Sequence, residues 1–210
     1  NRIAAVLLSL AMIAPALAEQ QRTEPVPPLP RATPGNINAM FIKAEEMREA
    51  GDCDAASPLY YRLAQRGPGF ERSQYGLGLC LIGDTPPTRA DTRYLEGLLW
   101  LRRAAEAGHP DAQLRLAELY HAGPVNMRDD REAALWWTLF EGNRQRRAVG
   151  YEEPDPQRQA VLRQAFDKAL LAAAAGQAEN WQSVQWRAPD FRPESAPPSG
   201  PASPATRPGP

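Results

Sequence analysis

The sequence predicts an all-α protein: a right-handed α-solenoid of about three antiparallel helix pairs, closed by a C-terminal capping helix. Three observations carry this expectation. The stretch Gly97 to Gly123, GLLWLRRAAEAGHPDAQLRLAELYHAG, recurs in halves elsewhere in the chain. Its first half returns downstream as AALWWTLFEG and upstream as ASPLYYRLAQRG, and its second half returns upstream as SQYGLGLCLIGD. Within each copy a small residue stands one helical turn from a large one, on a face that no single pair could bury alone.

The first helix of each pair is centred on Ala44, Gly78 or Ala117, with Met47, Leu81 and Tyr120 three residues later and Ala39, Ser73 and Ala112 five residues earlier. The second helix carries Ala56, Gly97 or Ala133, followed three residues on by Leu59, Trp100 or Trp136. A small residue before a bulky one suits a helix whose large side chain wedges into a neighbour that approaches closely at the small position. The copies lie 34 and 39 residues apart for the first helices and 41 and 36 for the second, spacings typical of stacked helix pairs. Beyond them, Asp155-Pro156 reads as an N-cap followed by Pro in the first turn. It opens a helix predicted to run to about Ala175, with Val161, Leu162, Ala165, Phe166, Ala169, Leu170 and Ala173 at helical spacing. This element is expected to cover the open end of the stack, with Trp181 and Trp186 folding back onto it.

The repeat resembles the Sel-one-like repeat, a relative of the tetratricopeptide repeat. In that family a first helix of type A-x-x-x-L-G-x-x-Y-x-x-G leads to a second of type A-x-x-W-x-x-x-A-A-E-x-G. Ala112, Leu116, Ala117, Tyr120 and Gly123 match the first, and Trp100, Ala104, Ala105, Glu106 and Gly108 the second. Val125 and Asp129 stand in the interhelix turn roughly where the family carries Val and Asp. The likeness is strong between about residues 94 and 142 and weakens outside it: Leu59 replaces the Trp of the first pair, and Phe140 with Glu141 replaces the two Ala of the third. The resemblance implies a non-enzymatic adaptor that assembles protein complexes.

The ends of the chain are of another kind. Residues 3–17, IAAVLLSLAMIAPAL, follow Arg2 and exit through Ala16-Leu17-Ala18, so residues 1–18 read as a secretory signal peptide. The alternative is an uncleaved amphipathic or anchoring helix; the run is short for a membrane span. Residues 19–36 form a Pro-rich linker, residues 37–186 the repeat domain with its cap, and residues 187–210, with eight prolines in 24 positions, a disordered tail. Export sets the expected localisation as periplasmic or secreted. In an oxidising compartment Cys53, in the turn of the first pair, and Cys80, in the last turn of the next first helix, fall at one end of the stack, where a disulfide is expected. The alternative is one thiol in the core and one exposed.

Tests for chemistry come out negative, and no cofactor is expected. His109 and His121 form no H-E-x-x-H pair; His109, before Pro110, fits a helix cap, and His121 favours the dipole at a helix end. No G-x-S-x-G, S-x-x-K, C-x-x-C or phosphate-binding glycine loop is present. Adjacent carboxylates such as Glu45-Glu46 and Glu152-Glu153 point to different helix faces, unlike a paired acid and base. A formal net charge of -1 offers no field for nucleic acid or an anionic membrane. The 22 Arg against two Lys reflect a GC-rich genome before any arginine chemistry, and Arg144, Arg146 and Arg147 read as a solvated helix end.

Binding remains. In such solenoids the first helices line the concave wall. With Ala112, Leu116 and Tyr120 facing the stack, Leu114 and Glu118 turn the other way; Tyr75 and Phe41 are equivalent to Leu114, and Leu79 to Glu118. Phe41, Tyr75, Leu79, Leu114 and Glu118 are therefore the candidate binding row for a peptide or protein partner of a monomer. The competing reading packs them internally, and exposures below about a tenth for Phe41, Tyr75 and Leu114 would remove the groove. The resemblance implies an exported adaptor first and, from the connection of exported members of such families with penicillin or peptidoglycan recognition, a binder or hydrolase of cell-wall fragments or β-lactams second; a purely structural envelope protein is the third expectation. A polar cleft with clustered carboxylates would favour the second, and a dry apolar strip the first.

Overall fold

The computed structural model describes residues 31–33 and 35–189. Residues 1–30 and those after Pro189 lie outside the described part, and with them the expected signal peptide, most of the linker and nearly all of the tail. The described residues fold as α1 (Ile37–Glu49), α2 (Cys53–Ala64), α3 (Glu71–Ile82), α4 (Thr92–Glu106), α5 (Pro110–Ala122), α6 (Asp130–Gly142), a 3-10 turn (Arg144–Arg147), α7 (Pro156–Ala165) and α8 (Lys168–Ala178), without strands. Helices α1 to α6 pack chiefly on their neighbours in sequence, α8 packs on α6, and α7 touches α5. The result is the all-α, solenoid-like stack that the repeats predict.

The even-numbered helices start on the same device. Asp52, Asp91, Asp129 and Asp167 each accept a hydrogen bond from a first-turn backbone N–H, at Ala55, Tyr94, Arg131 with Glu132, and Leu170 respectively. Such a cap is worth about 1 kcal/mol and keeps the helix start in register. Among the odd-numbered helices, α5 begins at His109, whose Nδ1 accepts from the Ala112 amide at 3.4 Å, and α7 at Asp155, which accepts from Gln157 with Pro156 in the first turn.

The small positions do what their spacing predicts. Ala44, Ala56, Ala117 and Ala133 are fully buried. Where α3 crosses α4 both partners are glycine: a Cβ on Gly78 would lie 2.6 Å from Leu101 Cγ and 2.9 Å from the Gly97 oxygen, and one on Gly97 would lie 2.8 Å from Ile82 Cγ1. The helices meet backbone to backbone there, leaving room for Trp100 and Leu101 to be buried beside the contact. Ala39 departs from the pattern and is exposed; among the described residues no earlier helix pair packs against it.

A second repeated device lies in the turns. Gln74 and Gln113, both buried, sit 39 residues apart at the same repeat position and donate through Nε2 to the last carbonyls of the preceding helix, Ala64 at 3.3 Å and Ala105 at 3.2 Å. Each carbonyl also accepts a turn amide, from Gly67 at 3.3 Å or Gly108 at 3.0 Å, and the glutamine adds a second bond that ties the end of one pair to the start of the next. Asn143 extends the link in the later repeat, donating to Gln113 Oε1 at 2.8 Å and the Gly108 oxygen at 2.9 Å.

The C-terminal part corrects three expectations. The helix opening at Pro156 does not continue to Ala175: Phe166 is extended, and Asp167 caps a new helix. The break resets the helical phase, so Leu162, Phe166 and Ala174 are buried while Val161, Ala165, Ala169 and Ala173 face solvent. Trp186 packs away from this cap, while Trp181 joins the core cluster that contains the cap residues Leu162, Phe166 and Ala174. After α8 an extended strap runs back along the even-numbered helices. Trp181 meets Trp136 of α6 edge to face at 5.2 Å, the Val184 amide donates to the Glu106 oxygen at 2.8 Å, and Trp186 meets Trp100 of α4 at 5.3 Å. The strap then reaches the turn after α2, where a Cβ on Gly67 would lie 2.9 Å from the Trp186 oxygen. At the other end, Ala32 is buried in the core, and its oxygen accepts from Arg66 Nη1 at 3.0 Å. The folded body therefore begins before Asn36.

A polar cleft on the odd-numbered helices

A cleft of about 590 Å³ opens on the side of the odd-numbered helices. Its floor is Tyr75 and Leu79 of α3. Around them stand Arg48 of α1, Arg115 of α5, Arg158 of α7 and Arg93 of α4, and the rim is formed by Asp52, Asp54 and Asp84. Cys53 and Cys80 border it and form a disulfide, with their Cα atoms 5.0 Å apart. The bridge joins the first residue of α2 to the last turn of α3, fixing the rim of the cleft to its floor.

The guanidinium groups are held in place by acids on their own or neighbouring helices. Glu118 accepts from Arg115 Nη1 at 3.2 Å, one turn away on α5, and from the Arg158 fork at 2.7 and 2.9 Å across to α7. The charge-assisted fork is the directional kind of ion pair, and this bond is the main reason the Arg158 charge is held more firmly than usual. On α1, Arg48 reaches Glu45 at 3.0 Å, and the Tyr60 hydroxyl of α2 donates to Glu45. Burial works against the Arg48 charge, but the Glu45 contact outweighs it; burial and Glu45 together push the Tyr60 phenol well above its ordinary value. Arg93 stands 3.6 Å from Asp54 with both groups largely exposed. That contact is worth little by itself.

Tyr75 stacks on His109 with centroids 4.8 Å apart and planes 24° from parallel. Burial, and then the Asp111 carboxylate, push the Tyr75 phenol up to about 12. Burial likewise lowers the His109 pKa against the opposing pull of Asp111, which keeps the ring neutral and its Nδ1 free to accept from Ala112. Asp111 is engaged as well, accepting from the Tyr151 hydroxyl at 2.7 Å.

Of the expected binding row, Tyr75 and Leu79 line the cleft, and Glu118 anchors two of its arginines. Leu114 is 1% exposed and belongs to the core, so the row is interrupted and the wall is not an apolar strip. The physical reason is the position of α5, which packs against α4, α6 and α7 and has no broad free face for a leucine. Phe41 is half-buried between Tyr60, at 6.3 Å, and the Arg72 guanidinium, 4.5 Å over its ring, and it does not line the cleft. Arg48, Arg115 and Arg158 were not among the expected site residues. The signal was present for two of them: Glu45 with Arg48 and Arg115 with Glu118 are i, i+3 pairs of opposite charge on predicted first helices. Arg158 is contributed by a helix whose place in the stack the repeat pattern does not specify.

Among the described residues no group of three or more His, Cys, Asp or Glu is placed to hold a metal ion, and no helix is long and apolar enough to cross a membrane. No protein-family model, curated protein or solved structure matches the chain.

Proposed function

We propose that this protein is an exported, non-enzymatic adaptor of the Sel-one-like repeat type that holds a polar segment of a partner protein in the cleft of the odd-numbered helices. The observation that carries the reading is the cleft itself. Four successive odd-numbered helices converge on it, and its arginines are pre-oriented by Glu45 and Glu118, so little side-chain order remains to be lost when a ligand arrives. Arg and Asp side chains both line the cleft beside Tyr75 and Leu79, a composition suited to a peptide carrying both charges. The disulfide supports an oxidising compartment, and the apolar run at residues 3–17 supports export.

A second reading takes the same cleft as a site for a cell-wall fragment or β-lactam, favoured by the rim carboxylates Asp52, Asp54 and Asp84. Two of these have other work: Asp52 caps α2 and Asp54 faces Arg93. No nucleophile with an adjacent base lies among the residues that line the cleft, which favours binding over turnover.

The test is site-specific photocrosslinking in the native envelope from Leu79, on the cleft floor, and from Val149, fully exposed and remote from it. The expected outcome is one protein captured from Leu79 and not from Val149, and lost when Arg93 and Arg158 are both changed to Glu. Identical capture from both positions would remove the adaptor reading. Capture of glycan from Leu79 would replace it with the second.

A further inference from the structure

The even-numbered helices carry a second cleft, of about 410 Å³, at the end of the strap. Its walls are Tyr61 and Gln65 of α2, Trp100 and Arg103 of α4, and Trp186 and Pro189 of the strap. It shares no residue with the proposed peptide cleft, and its reading stands apart from that proposal.

Arg103 is the unusual group here. Its guanidinium lies 4.3 Å over the Trp100 ring and 3.8 Å over the Trp186 ring. Stacking uses the faces of the guanidinium and leaves its N–H edge for a partner in its own plane. Among the described residues no carboxylate pairs with Arg103, and none of its five donors meets a protein acceptor. Arg102, one position earlier on α4, shows the contrast, with Glu106 at 3.0 Å and Glu132 at 3.8 Å. Burial pulls the Arg103 pKa down, with only weak opposition from Tyr61, Glu106 and Glu96. The guanidinium is partly buried between the two indoles with its N–H edge open to the cleft, where an in-plane anion can form a charge-assisted fork with it.

The surroundings restrict which anion. There is one guanidinium, and the glutamates at positions 96 and 106 of the same helix disfavour a doubly charged group, so a monovalent carboxylate fits better than a phosphate. Tyr61, 43% exposed, and the Trp186 and Pro189 surfaces offer apolar contact directly beside the donor. The strap residues Trp186 and Pro189 form one wall of the cleft, an arrangement that suits a chain end better than a segment running through. We propose that this cleft binds the C-terminal carboxylate of a hydrophobic peptide, with Arg103 as the two-pronged donor and Tyr61 and Trp186 holding the last side chain. The volume accommodates a terminal residue and part of the next, at the lower end of small-ligand sites.

The test uses the full chain and three probes: acetyl-Ala-Pro-Leu with a free carboxylate, its C-terminal amide, and acetyl-Ala-Asp-Leu-amide, whose only charge is internal. Binding is read by calorimetry and by tryptophan fluorescence, to which Trp100 and Trp186 in the cleft contribute. The free acid is expected to bind about tenfold or more tightly than either amide, and Arg103→Gln, with an unchanged circular dichroism spectrum, to abolish that difference. Arg103→Lys keeps charge but loses the fork and should recover only part of it. Equal binding of acid and amide, binding of none of the probes, equal binding of the internal-acid peptide, or discrimination surviving Arg103→Gln would each overturn the proposal. Should Arg103→Gln fail to fold, Tyr61→Ala carries the test: it must weaken the free acid, and unchanged affinity overturns the proposal equally.

Discussion

Opening the Cys53–Cys80 disulfide removes a constraint from the unfolded chain without deleting any core group, so its effect can be worked out before measurement. The two cysteines are 27 residues apart, and closing a loop of that length lowers the entropy of the unfolded ensemble enough to stabilise the fold by about 3.5 kcal/mol in the chain-entropy relation. For a domain of this size each kcal/mol moves the midpoint by roughly 2–4 °C. Reduction should therefore lower Tm by about 10 °C. The assay is urea unfolding and thermal melting of the same preparation with and without a phosphine reductant, followed by tryptophan fluorescence, with Cys53→Ala/Cys80→Ala as a control that also removes the two sulfur atoms. Cys80 is 2% exposed, so the double alanine variant should be less stable than the reduced native chain by about a further 1 kcal/mol. Coincident midpoints for the oxidised and reduced chain, with equal urea dependence, would refute the reasoning: the bridge would then close a loop that is already closed by residual structure when the rest of the chain unfolds.

Two more outcomes test the packing and the cap. Gly97→Leu places atoms where Ile82 Cγ1 and the Gly78 oxygen already lie within about 3 Å of a bare Cβ, so it should cost about 3 kcal/mol or more by overpacking, read by urea unfolding; Gly142→Leu, where nothing lies within 4 Å, should be nearly neutral. The His109 ring is needed neutral to accept from Ala112, and its folded pKa is lowered. The unfolded state then takes up a proton at the ordinary value of about 6.5 before the folded state does, so the contribution is fully present above that pH and is lost as pH falls from about 6.5 towards the folded pKa. A pH series of unfolding free energies from 7.5 to 5 should show a decline that is shallower in His109→Asn, whose side chain still caps but does not titrate; superimposable profiles would sink this assignment.

The residues that build the stack were legible because their roles are local and repeated. The alternation Gly97/Trp100 and Ala133/Trp136, the Asp155-Pro156 start and the capping place of His109 rest on interactions within one or two turns, which spacing encodes directly. The Gln74/Gln113 device was equally repeated, but polar residues at a stacking face do not stand out in an apolar pattern. The cleft was less legible. Leu114 shares the helical position of Tyr75, yet the helices around α5 differ from those around α3, so an identical place in the repeat yields a core residue in one copy and a cleft floor in the other. The break at Asp167 reflects a local cap overriding an apolar period that continues through it. The path of the strap depends on indole rings meeting Trp136 and Trp100 far away in sequence, and no spacing in residues 181–189 announces it.

Trp100 and Trp136 occupy the same position in consecutive repeats, and the strap touches both, so this segment counts the repeats as it passes. Arrays of this kind ordinarily change length by gaining or losing a whole unit, since each unit asks only for a similar neighbour. Here an inserted pair between α4 and α6 would separate the two indole seats that Trp181 and Trp186 fill, stranding one of them. The strap thus fixes the number of repeats between its two seats, and a change there would have to be matched by a change in the C-terminal segment.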